Sequence, residues 1–87
     1  MDAVTANSLT LILKGNFEDG DIARMIRLFP GKATLKNAVL DEPTRNEPRL
    51  IRFYLNSMVD ETVLRNLFQE TFPNLKVFVE DPYAAKM

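Results

Sequence analysis

The sequence predicts an α+β domain in the order strand–helix–strand–strand–helix–strand, on three observations. Apolar residues alternate with their neighbours in three short runs, Leu9-Leu11-Leu13, Ile51-Phe53-Leu55 and Leu75-Val77-Val79. That period of two belongs to half-buried strands. In two other segments apolar residues recur at helical spacing: Ile22-Met25-Ile26-Phe29 and Leu64-Leu67-Phe68-Phe72. Proline, glycine and asparagine separate these runs at Gly15-Asn16, Pro30-Gly31 and Pro73-Asn74.

Residues 1–7 are small and polar and are expected to be a flexible N-terminal leader. The first strand follows, Leu9, Leu11 and Leu13 on one side and Thr10, Ile12 and Lys14 on the other, ending at Gly15-Asn16. Asp19-Gly20-Asp21 opens a helix, with Asp19 as its expected N-cap and acids suited to the positive end of the helix dipole. Pro30-Gly31 stops it. A second strand is expected over Ala33 to Leu40, with Leu35 and Val39 on one side and Asn37 between them. Asp41 to Pro48 contains two prolines and reads as a hairpin loop. Arg49 to Asn56 is the clearest strand: Ile51, Phe53 and Leu55 point one way, Leu50, Arg52 and Tyr54 the other. Ser57 to Asp60 has capping-box spacing, although Asp60 can equally be the cap itself. The second helix carries a favourable i,i+4 pair, Glu61 to Arg65, and stops at Pro73-Asn74. Leu75, Val77 and Val79 form the last strand, ended by Pro82, and residues 83–87 are a short C-terminal tail.

Two helices each need a sheet to bury their stripe, and strands with one-sided alternation need helices on one face only. Right-handed crossovers then select the split βαβ arrangement. The expectation is a two-layer ferredoxin-like plait, βαββαβ, with a four-stranded antiparallel sheet and two helices on one face. Its first and third strands are central, its second and fourth are edges. With 87 residues the chain is read as a single domain over residues 8–82.

Composition limits the chemistry. The chain has no histidine and no cysteine. That excludes Ser-His-Asp and Cys-His catalysis, thiol redox chemistry and the common zinc sites. The carboxylates of Glu18-Asp19-Gly20-Asp21, Asp41-Glu42 and Glu80-Asp81 lack EF-hand spacing. Glu18, Asp19 and Asp21 would repel a phosphate from the first helix N-terminus, and no Walker or dinucleotide spacing occurs. No catalytic residue, metal or cofactor is therefore expected, and the chain is read as non-enzymatic. A net charge of −1 favours neither a polyanion nor a membrane surface. The apolar runs are too short to span a bilayer, and residues 1–7 carry no basic apolar signal. A cytoplasmic location is the expectation for such a cysteine-free chain.

The open face of the sheet is more informative. If the alternating leucines, isoleucine, phenylalanine and valines face the helices, their neighbours must face outward. That places Ile12 and Lys14 on the first strand, Leu50, Arg52 and Tyr54 on the third, and Lys76, Phe78 and Glu80 on the fourth. Lys36 joins them from the second strand, which makes the face about +3 by charge, against about −4 for the remainder. Three readings follow: a solvated sheet face, a protein interface, or a surface for single-stranded nucleic acid. The expectation is a protein interface, for self-association or for a partner protein, formed by Ile12, Lys14, Leu50, Arg52, Tyr54, Lys76 and Phe78. Single-stranded RNA or DNA is the alternative occupant of the same face.

Leu13-Lys14-Gly15-Asn16-Phe17 loosely resembles the first-strand motif of RNA-recognition-motif domains, and Arg49 to Leu55 stands where that family carries its second motif. The resemblance implies base stacking on outward aromatics. Here Ile12 takes the first-strand position and Arg49-Leu50-Ile51-Arg52 has no glycine, which leaves Tyr54 as the central stacker. The topology is also similar to that of ACT-type regulatory modules, without their Pro-Gly at the first turn. Each resemblance covers a strand and a turn.

Overall fold

The computed structural model describes residues 7–41 and 48–80. The elements are β1 (Asn7–Gly15), α1 (Asp19–Leu28), β2 (Ala33–Asp41), β3 (Arg49–Ser57), α2 (Glu61–Thr71) and β4 (Lys76–Glu80). They form a four-stranded antiparallel sheet in the order β2-β3-β1-β4 with the helices on one face, the ferredoxin-like plait expected from the sequence. Asn7, expected in the leader, opens β1. Asp41, expected to open the hairpin loop, instead closes β2; residues 42–47 of that loop, the rest of the leader, Pro82 and the tail lie outside the described residues.

The inner face is built from the alternating positions. Leu9, Leu11 and Leu13 of β1 and Ile51, Phe53 and Leu55 of β3 are buried and paired across the two central strands. Leu75 and Val77 extend this layer toward β4, where Val79 is half-buried. Met25 of α1 and Leu64 and Phe68 of α2 cover it, with Phe72 just beyond α2. Phe29 joins the two helices to the sheet, its ring centre 5.3 Å from Phe53 in an edge contact and 4.9 Å from Phe68. At the far end, Arg49 donates to the Phe17 carbonyl at 2.7 Å and to Asp19 at 3.0 Å, and its guanidinium lies over the Phe17 ring. That tethers the start of β3 to the β1–α1 connection.

Three further expectations are corrected. Ile26, read as part of the α1 stripe, is 45% exposed, because the line through Ile22, Met25 and Phe29 already meets the sheet. The N-cap of α1 is Glu18, not Asp19. Asp21 accepts from the Glu18 N–H at 3.0 Å, whereas Asp19 is already inside the helix and turned to Arg49.

The third correction concerns β2. Leu35 pairs with Leu55 but Asn37 pairs with Tyr54, so Lys36 is an extra residue, a β-bulge. The Asn37 side chain accepts from the Ala38 N–H at 2.9 Å, a local bond that competes with regular pairing. One inserted residue reverses the alternation. Leu35 therefore stays with the inner residues, while Val39 pairs with Arg52 and Asp41 with Leu50, both on the outer face.

For α2 the second alternative holds. Asp60 is the N-cap and accepts from the Thr62 N–H at 3.0 Å. The buried Ser57 hydroxyl accepts instead from the Val59 N–H at 2.9 Å, shaping the turn before the helix. Asp60→Ala is expected to cost about 1 kcal/mol. Urea melts of the two proteins measure this, and Asp60→Asn should recover most of the loss because its side-chain oxygen can still accept.

Candidate functional site

The register sets out the outer face as rows running across β2, β3, β1 and β4. Asn37, Tyr54, Thr10 and Glu80 form one row. Val39, Arg52, Ile12 and Phe78 form the next, and Asp41, Leu50, Lys14 and Lys76 the third. All of the outward residues expected on the central strands and on β4 share this face. Tyr54 is 37% exposed and Phe78 47%, while Ile12, Leu50 and Val39 are half-buried. Lys14 and Lys76 are exposed and stand opposite each other.

These exposures follow from the architecture. Both helices cover the inner face, and among the described residues nothing covers the outer one. Ile12 is half-buried because its neighbours Phe78 and Arg52 flank it in the pleat. Arg52 is held flat by Asp41, whose carboxylate lies 2.8 Å from the guanidinium. The middle row is thus an apolar band interrupted by one neutralised cation.

Toward the other end, Ser8, Thr10, Lys36, Tyr54 and Asn56 line a shallow concavity against the bulge. Ser8 and Asn56 close its floor with a hydrogen bond of 3.2 Å. Lys36 reaches this face from the bulge, so the outer cations are Lys14, Lys36, Arg52 and Lys76. Asp41 and Glu80 oppose them, and the extra acid lowers the charge below that expected from the sequence alone.

Val39, Asn37 and Asp41 were not legible as members of this face, because strand alternation through Lys36 assigns them the wrong phase. The one available signal was Asn37, a poor strand former in the middle of a strand. Among the described residues, no three histidine, cysteine, aspartate or glutamate side chains come together as metal ligands. No described helix is long and apolar enough to cross a membrane.

A second concavity lies at the edge of the domain, between the β1–α1 and α2–β4 connections. Asn16, Phe17, Asp21, Arg24, Phe72 and Leu75 line it. Arg24 bonds Asp21 at 3.1 Å and lies over the Phe72 ring, so its charge is already engaged there.

No family model matches the chain, and no curated protein matches it. Among solved structures the chain is similar to an ACT domain protein from Streptococcus pneumoniae, at a TM-score of 0.65 and 17% identity. The match covers 93% of this chain and 97% of that one. At that identity the likeness is one of fold, and it spans the whole plait.

Proposed function

We propose that this chain is a small non-enzymatic interaction module of regulatory type, which binds a partner protein or a second copy through the outer face of its sheet. One observation carries the reading. Tyr54, Phe78, Ile12, Leu50 and Val39 form a partly exposed apolar cluster on that face, interrupted only by Arg52, which Asp41 neutralises, with lysines at its margin. Aromatic and arginine groups at the centre with charge at the rim are what a desolvated protein contact uses. The plait shared with an ACT domain protein supports a regulatory module of that general architecture.

Single-stranded nucleic acid competes for the same face, because Lys14, Lys36 and Lys76 border Tyr54 and Phe78. Salt separates the two. Phosphate contacts release counterions, so affinity for a single strand falls with a log–log slope of roughly −0.7 per contact. An apolar protein contact responds to salt only through its rim charges. Fluorescence anisotropy with an unstructured oligonucleotide should show no tight binding at physiological salt. A captured protein partner should be lost on Tyr54→Ala, by roughly thirtyfold for a hot-spot aromatic. It should be retained on Val63→Ala, which alters an exposed side chain of α2. Tight oligonucleotide binding abolished by Tyr54→Ala and by Lys14→Ala would overturn the proposal.

A further inference from the structure

The two edges of the sheet are not equivalent. β2 is bulged at Lys36, and a bulge twists an edge away from further pairing. β4 pairs with β1 from Lys76 to Glu80 without a register shift, and its other side faces no strand among the described residues. Its sequence is Lys76-Val77-Phe78-Val79-Glu80. About Phe78 this segment is symmetric in shape and opposite in charge. Lys76, Phe78 and Glu80 lie on the outer face, Val77 and Val79 on the inner.

We propose that a second copy of this chain occupies the β4 edge, the two β4 strands pairing antiparallel about a two-fold axis through Phe78. This inference goes beyond the proposed function and does not depend on it. In this register Lys76 faces Glu80 of the second copy, and Glu80 faces its Lys76. The two Phe78 side chains meet on the outer face, and Val77 meets Val79 on the inner. The result is a continuous antiparallel sheet of twice the width, with all helices on one side and the outer face still open.

Charge selects the arrangement. Lys76 stands opposite Lys14 within its own sheet, a like-charge pair that an incoming carboxylate relieves. Glu80 stands opposite Thr10, with no cation directly across from it. Parallel pairing in register would set lysine against lysine and glutamate against glutamate. Moving the antiparallel register by one pleat, two residues, would lose both ion pairs and oppose Phe78 to a charge. Pairing about Phe78 also covers apolar surface that the isolated chain leaves open, since Phe78 is 47% exposed and Val79 half-buried. Val79 borders Glu61, Thr62 and Arg65 of α2, so the inner flank that meets the second copy carries one acid and one base.

Sedimentation equilibrium of the full chain tests this. The wild type should form a dimer at micromolar concentration. Lys76→Glu and Glu80→Lys should each weaken it by about tenfold or more, because each sets like charges opposite each other at two symmetric positions. An equimolar mixture of these two variants should dimerise again, since every introduced charge then meets its opposite, and the double exchange in one chain should do the same. Tyr54→Ala, one strand removed from β1 and two from this edge, should leave the dimer intact even where it abolishes partner capture. A wild type that stays monomeric across the range overturns the inference. So does a dimer indifferent to the single variants, a mixture that fails to restore association, or a dimer dissolved by Tyr54→Ala.

Discussion

Phe53→Ala is expected to destabilise the protein by about 3–5 kcal/mol, the usual range for deleting a buried phenylalanine. Phe53 is fully buried at the centre of β3, next to Leu11 of β1. Its ring meets Phe29 edge-on, and Phe29 in turn meets Phe68. The missing ring would therefore leave a void at the point where both helices converge on the sheet. Few neighbours can collapse into it, because Leu11, Met25 and Leu64 are themselves fully enclosed. A domain of 87 residues buries only ~60% of its unfolded surface, so the loss is a large share of a total of roughly 5–15 kcal/mol. Thr10→Ala, on the outer face, should move stability by much less, about 1 kcal/mol or under, the span of strand propensity. Urea melts of the two variants give the ranking. The reverse order would mean that the central strands are one residue out of register and that the outer face is misassigned.

Gly15→Ala is expected to cost about 1–3 kcal/mol, for two separate reasons. Gly15 closes β1 with a φ of +148°, a conformation that residues with a Cβ rarely adopt. An added Cβ would also lie 2.7 Å from Leu75 Cδ2. Leu75 is 4% exposed and packed in the core, so it has little room to turn aside. Gly20→Ala is the internal comparison. Gly20 sits in the first turn of α1, and a Cβ there meets nothing within 4 Å. Alanine at that position should stabilise by a few tenths to about 1 kcal/mol. Opposite signs for two glycine-to-alanine changes five residues apart would be read directly from thermal or urea melts. A neutral or stabilising Gly15→Ala would show that the β1–α1 connection does not pass as close to the α2–β4 connection as described.

The proposed dimer and the open face are physically coupled without being the same surface. Phe78 belongs to both: it lies at the two-fold axis and at the end of the row that holds Ile12 and Arg52. Pairing at β4 would join the outer bands of two copies into one longer band. A partner that spans both copies would then bind with the benefit of effective concentration.

Strand alternation, the two helical stripes and the handedness of crossovers determined the plait, and alternation alone the facing of β1, β3 and β4. Leu9, Leu11 and Leu13, like Ile51, Phe53 and Leu55, repeat with the period of the pleat. The period is local, so no tertiary information is needed to say that Ile12, Arg52 and Tyr54 turn outward. The absence of histidine and cysteine likewise limits the chemistry whatever the fold. The phase of β2 was decided only by pairing. Lys36 is an extra residue solely because Leu35 stands against Leu55 while Asn37 stands against Tyr54, and a bulge exists only in relation to a neighbouring strand. Val39 and Asp41 reached the outer face through that one insertion. The α1 cap, by contrast, is local: Asp21 accepts from the Glu18 N–H three residues before it, a capping-box spacing already present in Glu18-Asp19-Gly20-Asp21. That β4 has no second neighbouring strand among the described residues is a property of strand order. Lys76-Val77-Phe78-Val79-Glu80 reads as an ordinary strand in the chain, and its inverse charge symmetry bears on the proposed pairing only because the strand order β2-β3-β1-β4 sets that strand outermost.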